Sequence, residues 1–544
     1  MIYKRTTTVV QRNRGGWEFP PLVLTYREVV ARAGGALAVV DVRGPRLTHE
    51  DLWRASGELA GELAARGIRA GEAVVIFLPN WAEWVVSFLA VLRMAAVPTV
   101  MPVTMDSGSL SHVLNLTGAR VVIAAERFRR TPLGDVVTAA MDESETRCSA
   151  LILGDKGSRR WVGRSETEAQ QVIGRADYLL CTSSTTGPPK VVMHTERSAW
   201  SINAGIALRY GLSDETPLFM ASPLGHSVGA IHGVRMALML GSPLVLQEVW
   251  DPEQALRLIE EERCAFTAAA TPFLKDLADA PWKGRGPKAA PLRVFLCGGA
   301  PVPPSLIEQC WAELPRTFVS NLWGMTEGGV TCSPYATPKE KLLRTAGCPL
   351  PGLELVVLDT NGEPLPVGQD GELAMRGPGV FVGYWGQEDL YRSLMTTDGF
   401  FRTGDQAQLD DEGYVTITGR LKDLIIRGGV NVPPAPIEAA LSSHPQIKSV
   451  AVVGLPDERL GERICAFVEP KGTPPDLGSL IEWAKAQNLP KRWWPEAVRV
   501  ISEMPRTPAG KVRKQVLRSM LEREEVESRS DTSEGRRKTN AKEA

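Results

Sequence analysis

One stretch, Cys181–His194 (CTSSTTGPPKVVMH), limits what this chain can be more than any other. An apolar run, Tyr178, Leu179 and Leu180, reads as a buried strand and then breaks into hydroxyl residues, a glycine, two prolines and a single lysine. Small side chains let backbone N–H groups approach an anion, hydroxyls add donors, and Lys190 adds positive charge. This is the composition of a phosphate cradle. The GxxxxGK[ST] spacing is missing, which excludes a P-loop NTPase. Taken alone, such a turn is more often an ordinary strand connection, so its meaning rests on what lies downstream.

The chain has 544 residues, enough for two to four domains. With a net charge of −1 it has no general attraction to nucleic acid or to an anionic membrane. Its eight cysteines show neither CxxC nor Cys/His metal spacing and read as buried, reduced thiols. The N-terminal stretch lacks the apolar core of a secretory signal, and the longest apolar run, Trp84–Leu92, is too short to span a bilayer. The expectation is a soluble, cytoplasmic protein with no nucleic-acid partner and no membrane span.

Helical spacing of Tyr26, Val29, Val30 and Ala33 predicts one helix, and Leu52, Leu59 and Leu63 a second that starts at Thr48. A strand at 73–78, a helix at 81–96 and an apolar run at 97–103 follow. Further strands near 120–125, 177–182, 293–296 and 317–321 continue the rhythm of a parallel sheet covered by helices. Between 351 and 419 short β-rich runs alternate with turn dipeptides such as Asn361-Gly362 and Asp398-Gly399, which predicts an antiparallel or barrel-like subdomain. A compact α+β unit comes next, with strands near 424–427, 449–453 and 464–468 and helices beginning near Pro434 and Leu477. From Leu521 the chain is charged and Ser/Thr-rich, the composition of a disordered tail at 521–544.

Four more stretches carry chemistry. NLWGMTEG (321–328) offers an aromatic face for a purine, a hydroxyl donor for a phosphate and a hard oxygen ligand for Mg²⁺. RTGD (402–405) holds a carboxylate that can accept both hydroxyls of a ribose. GRLKDLIIRGGVNVPPAPIE (419–438) and PRTPAGKVRK (505–514) complete the set, the latter with a lysine on a glycine-hinged loop. Each has a bland reading: Asp405 as a turn cap, Lys511 as a solvated charge, Trp323 as core, His226 in SPLGHSVG as a packed histidine.

Together, in this order, the motifs resemble the adenylate-forming superfamily of acyl-CoA synthetases, carrier-protein adenylation domains and luciferases. The likeness runs from about Thr48 to Lys514, and the wording is most similar to bacterial acyl-CoA ligases of the cyclohexanecarboxylate and medium-chain type. The resemblance implies an α/β fold. A large N-terminal domain (1–420) of stacked α/β subdomains carries the β-rich subdomain at about 351–419. A small mobile C-terminal domain (421–520) is hinged at Lys422. It implies ATP, AMP, Mg²⁺ and coenzyme A as the small molecules handled, and a carboxylic acid or its acyl-adenylate as substrate.

By residue, the resemblance gives Thr182, Ser183, Ser184, Thr185, Thr186, Gly187 and Lys190 to the phosphate loop. Gly298, Gly299 and Ala300 lie beside the adenine and acyl pocket, Trp323 and Gly324 flank the base, Thr326 touches the α-phosphate and Glu327 holds Mg²⁺. Asp405 and Arg420 bind the ribose, Gly428 and Gly429 line the pantetheine tunnel, and His226 sits beside the carboxylate and thiol. Lys511 stabilises charge on the attacking carboxylate and the α-phosphate.

Three departures stand out. Ser184 and Val191 replace glycines of the family's TSGTTGxPKG loop, and Pro436 replaces a glutamate of GGxNIxPxEIE. A Cβ at 184 and 191 would crowd the β- and γ-phosphates. The leading expectation is an acyl-CoA ligase that converts a carboxylic acid to its CoA thioester through an acyl-adenylate. The alternative carried by this change is impaired adenylation with thioesterification of a supplied acyl-adenylate retained, the adenylate then coming from a separate adenylating enzyme. A third reading is an acid-adenylating enzyme that loads a carrier protein. Small side chains around SPLGHSVGAIHG point to a bulky, alicyclic or natural-product-like acid. Pro436 falls in the first turn of a helix, where proline is tolerated.

Overall fold

The computed structural model describes residues 12–13, 16–17, 19–154, 157–163, 174, 176–182, 188–284, 286–300, 302–457, 459–507, 511–521 and 523. Five predicted phosphate-loop residues (183–187) and the tail from 524 lie outside the described residues, as does 522. The chain forms two compact units. The first takes residues up to 368 with 374–403 and 409–416. The second takes 369–373, 404–408 and the chain from 417.

In the first unit the apolar runs become two mixed sheets rather than a single parallel one. The eight-stranded sheet has the order Gly383–Tyr384, Val191–His194, Tyr178–Cys181, Val97–Val100, Ala73–Phe77, Val121–Ala125, Ser149–Leu153, Arg159–Gly163. Its middle strands are parallel and buried on both faces, which is why they read as unbroken apolar runs. The Tyr178–Cys181 strand is parallel to Val97–Val100 but antiparallel to Val191–His194. The connection between the last two is too short for a crossover of about a dozen residues, so only a hairpin can join them. The nine-stranded sheet centres on the parallel strands Leu218–Met220, Phe266–Ala270, Val294–Gly298 and Phe318–Met325, with antiparallel pairs at its edges.

Chain 351–420 gives a four-stranded sheet in the order Glu354–Leu358, Gly371–Arg376, Phe401–Leu409, Val415–Arg420. The predicted turns are present, with Gly362 N–H donating to the Asp359 carbonyl and Gly399 N–H to that of Thr396.

The second unit is built on the hairpin of Ile447–Asp457 and Gly461–Pro470. Side chains alternate across a strand. Ile464, Ala466 and Val468 therefore pack with Ile437, Leu441 and Leu480, while Cys465 and Phe467 face the other way against Met504, Leu517 and Leu521. Leu521, expected to open the tail, is instead buried on that second face. The helix Pro434–Ser442 forms with Pro436 in its first turn. All eight cysteines are free, seven of them buried and Cys348 half-buried. Among the described residues no helix is long and apolar enough to cross a membrane.

Candidate functional site

In open α/β sheets ligands collect beyond the carboxyl ends of the strands. Of the described sequence-predicted residues of the first unit, Thr182, Gly299, Ala300, Thr326 and Glu327 directly follow strand ends. Tyr178–Cys181 runs into the loop at Thr182, and its return strand begins after Lys190. Thr182 and Lys190 close the loop reciprocally: Thr182 N–H donates to the Lys190 carbonyl (3.0 Å), and Lys190 N–H donates to the Thr182 hydroxyl (3.1 Å). Val191, expected to crowd a phosphate, is instead a fully buried ladder residue opposite Cys181. It has no positive φ, so this position carries no backbone strain. The steric argument against adenylation therefore has no support at Val191.

Val294–Gly298 and Phe318–Met325 are parallel neighbours, so Gly298 stands beside Leu322, one residue before Trp323. A Cβ at Gly298 would lie 2.6 Å from the Leu322 carbonyl oxygen, which requires glycine there. Gly299 (φ 84°) and Ala300 continue from the strand end. Trp323 is almost fully buried, at 7% exposure, and Gly324 follows it at a shift in ladder register. Thr326 is half-buried and Glu327 buried. The turn closes at Gly328 (φ 108°), where a Cβ would lie 2.2 Å from the Gly379 oxygen.

Two side chains that the motifs do not flag hold this turn. His194, in the return strand, donates from Nε2 to the Thr326 carbonyl (2.7 Å) and pairs through Nδ1 with the Ser198 hydroxyl (2.9 Å). A carbonyl only accepts, so the Nε2–H tautomer is fixed. Burial lowers the His194 pKa to about 4, against the upward pull of the Thr326 bond, so the ring is neutral at physiological pH. Tyr384 donates its hydroxyl to Glu327 Oε1 (2.6 Å), and Lys190 Nζ stands over the Tyr384 ring, 4.8 Å from its centroid. The signal for both was remote pairing, which a linear reading does not contain.

A buried charge cluster lies at the other end of this strand pair, where Tyr178 stands opposite His194. Arg235, fully buried, bonds Glu196 Oε2 (2.5 Å), Asn203 Oδ1 (2.8 Å) and the Tyr178 hydroxyl (3.2 Å), and Tyr178 also donates to Glu196 Oε1 (2.5 Å). A lone arginine inside GVRMALML was the sequence signal for it. Arg235 ends a π-helix, Val228–Arg235, a rare form that recurs at functional sites. Half-buried His226 precedes this helix, and Asn80 pins the same segment by accepting from Leu224 N–H (2.8 Å) and donating to the Ser222 carbonyl (3.0 Å). The glycines here do not open a pocket: a Cβ at Gly225 would lie 2.6 Å from the Met101 oxygen, and at Gly229 2.3 Å from that of Pro223. They serve close packing, and the argument from small residues to a bulky acid fails at these positions.

In the second unit Asp405, 3% exposed, bonds Arg420 Nε through Oδ1 (2.7 Å). Lys422 lies in the exposed turn Leu421–Asp423 directly after that strand. Gly428 (φ 57°) and Gly429 (φ 78°) form a two-residue hairpin turn between Arg427 and Val430, the doubly left-handed geometry that favours glycine. Lys511 is half-buried. Thr507 N–H donates to its carbonyl (2.7 Å) and Lys511 N–H donates to the Thr507 hydroxyl (3.1 Å).

Among the described residues no three His, Cys, Asp or Glu side chains cluster as a metal cage. A Mg²⁺ carried on phosphates needs only one or two carboxylates. Glu327 fits that requirement: one oxygen is oriented by Tyr384, and a carboxylate has about four acceptor sites.

Family models match the chain in two places: AMP-binding enzyme at residues 26–385 and AMP-binding enzyme C-terminal domain at 436–511. A medium-chain fatty-acid–CoA ligase of Escherichia coli (strain K12) is 31% identical over 545 residues, 96% of this chain and 94% of the relative. A feruloyl-CoA synthase of an Amycolatopsis species is 30% identical over 486 residues, 87% of this chain and 93% of the relative. Triostin synthetase I of Streptomyces triostinicus is 30% identical over 520 residues, 94% of this chain and 96% of the relative. Among solved structures, ATP-bound MatB from Rhodopseudomonas palustris superposes with a TM-score of 0.80 at 27% identity, covering 92% of this chain and 98% of that one.

Proposed function

The chain belongs to the AMP-binding enzyme family, and from that premise we propose that it is an AMP-forming acid–thiol ligase making acyl-CoA thioesters. In the first half-reaction a carboxylate oxygen attacks the α-phosphorus of ATP and pyrophosphate leaves, giving an acyl-adenylate. In the second the thiol of coenzyme A attacks the acyl carbon, loses its proton, and AMP leaves.

The observation that carries this reading is the junction of Lys190, Tyr384 and Glu327 beside the Thr326 turn. It places a cation, a carboxylate and a hydroxyl residue together at strand ends, the set a triphosphate and its metal require. Bound Mg²⁺ would neutralise charge on the β- and γ-phosphates, held by Glu327. Thr182 and Lys190 would close the loop around those phosphates, Thr326 face the α-phosphate, and Trp323, Gly324 and Gly298–Ala300 border the base and acid. In the second unit the Asp405–Arg420 pair would take the ribose, Lys511 would stabilise charge developing between carboxylate and α-phosphate, and the Gly428–Gly429 turn would meet pantetheine. Rotation about Lys422 would exchange one half-reaction for the other.

ATP–pyrophosphate exchange across a library of linear, aromatic and alicyclic acids tests the first step. Mass spectrometry of products with coenzyme A, and separately with a holo-carrier protein, tests the second. Acid-dependent exchange and an acyl-CoA product are expected. Transfer to the carrier alone would make the protein a carrier-loading enzyme. Thioester from synthetic adenylates without exchange would restore the impaired-adenylation reading on Ser184. No exchange and no thioester with any acceptor would overturn the proposal.

A further inference from the structure

We propose that Tyr384 is a positioning residue for adenylation, keeping Lys190 and Glu327 apart and each oriented toward the metal–triphosphate; the inference rests on the ligase reading above. Tyr384 is 2% exposed and lies on the short strand Gly383–Tyr384, registered against the return strand by Val192↔Tyr384 and Met193↔Gly383. Its ring is wedged edge-on against Phe381 at 4.9 Å, and Phe381 N–H in turn bonds the Glu327 carbonyl (2.8 Å). The side chain therefore has one place to be, and that place is between two opposite charges.

The chemistry of its two ends differs. The hydroxyl donates to Glu327 Oε1 (2.6 Å) and leaves the other carboxylate oxygen to a metal. The ring face carries the Lys190 ammonium by cation–π attraction. Among the described residues Lys190 makes no ion pair with Glu327. A direct lysine–carboxylate pair would satisfy both groups with each other and have to break before metal and phosphate could bind. An aromatic ring between them holds the lysine without neutralising it and aims the carboxylate without occupying its second oxygen.

Three proteins test this: wild type, Tyr384→Phe and Tyr384→Leu. Binding of a non-hydrolysable α,β-methylene ATP analogue is measured by calorimetry across Mg²⁺ concentrations, alongside thioester formation from a synthetic acyl-adenylate. Tyr384→Phe is expected to raise the half-saturating Mg²⁺ by about tenfold, since it removes a hydrogen bond to a charged group. Tyr384→Leu is expected to weaken analogue binding in the absence of Mg²⁺ by a further ~3-fold, through loss of the lysine seat. Thioester formation from the adenylate should stay within about twofold in both, because neither charge is needed mainly for that step. Wild-type metal dependence in Tyr384→Phe overturns the proposal. Equal losses in binding and in thioester formation also overturn it, as the mark of a merely structural role. A wild type that neither binds the analogue nor makes thioester sinks the ligase reading itself.

Discussion

Two loops in this protein end in a lysine closed by the same clasp, one in each unit. At Thr182/Lys190 and at Thr507/Lys511 the threonine amide donates to the lysine carbonyl and the threonine hydroxyl accepts the lysine amide. What surrounds the clasps differs. The first sits between two fully buried strands, and its lysine rests on a buried aromatic ring. The second is braced, among the described residues, by the bridge Arg506↔Val512 and by Arg513 N–H on the Pro505 carbonyl (2.8 Å), in front of the helical residues 514–521. The same local device thus seats one lysine at the edge of a strand pair and another just ahead of a helix. A cation that must hold a phosphate throughout suits the first, and one needed for a single step suits the second.

The contrast breaks most plainly at the lysines themselves. Lys511→Ala should lower ATP–pyrophosphate exchange by about 10²–10³-fold, the magnitude for removing one stabiliser of transition-state charge. Thioester formation from synthetic adenylate should stay near wild type. Lys190→Ala should act chiefly on the KM for Mg·ATP, by ~10-fold, as loss of a binding contact does. Identical kcat and KM patterns for the two variants would erase the distinction.

Acid stability comes next. His194 and His232, both in the first unit, have folded pKa values held down to about 4 by burial. The folded state then binds fewer protons than the unfolded chain, so this stabilisation is complete above about pH 6.5 and is lost as the pH falls through 4. Each histidine carries up to roughly 3 kcal/mol in that window. His444, in the second unit, is lowered in the same direction by burial. Thermal melts from pH 7 to 4 should therefore show steeper losses in the first unit, and His194→Gln should flatten them.

The smallest effect concerns the clasps. Thr182→Val and Thr507→Val each remove one hydroxyl acceptor, worth about 1 kcal/mol or roughly fivefold. The strand ladder should buffer the loss at 182, so the Thr507 variant should show the larger drop in exchange rate. The reverse order would mean that the sheet adds nothing to the first loop.

The chemistry-bearing stretches were legible because each is a short run whose residue types state their purpose. The strand at Gly461–Pro470 was legible as the apolar run Ile464–Val468, but a run apolar at every position does not announce that its two faces serve two cores. What stayed hidden lies between distant positions. Tyr384 meets Glu327 across 57 residues and His194 meets Thr326 across 132, and no local pattern encodes either pairing. Val191 misled for a related reason. A replaced glycine reads as a blocked cradle until its place in a ladder is known. Gly225 and Gly229 misled in the opposite sense, because smallness serves either an empty space or a tight contact, and only neighbours decide which.

The cluster of Arg235, Glu196, Asn203 and Tyr178 has a bearing on how such a protein can drift. Losing Arg235 or Glu196 leaves the other charge unpaired in a largely buried place at about 3–5 kcal/mol, while replacing all four by well-fitted apolar groups is nearly neutral. Descendants can therefore keep the quartet or abandon it wholesale, with a valley of poorly folding intermediates between the two.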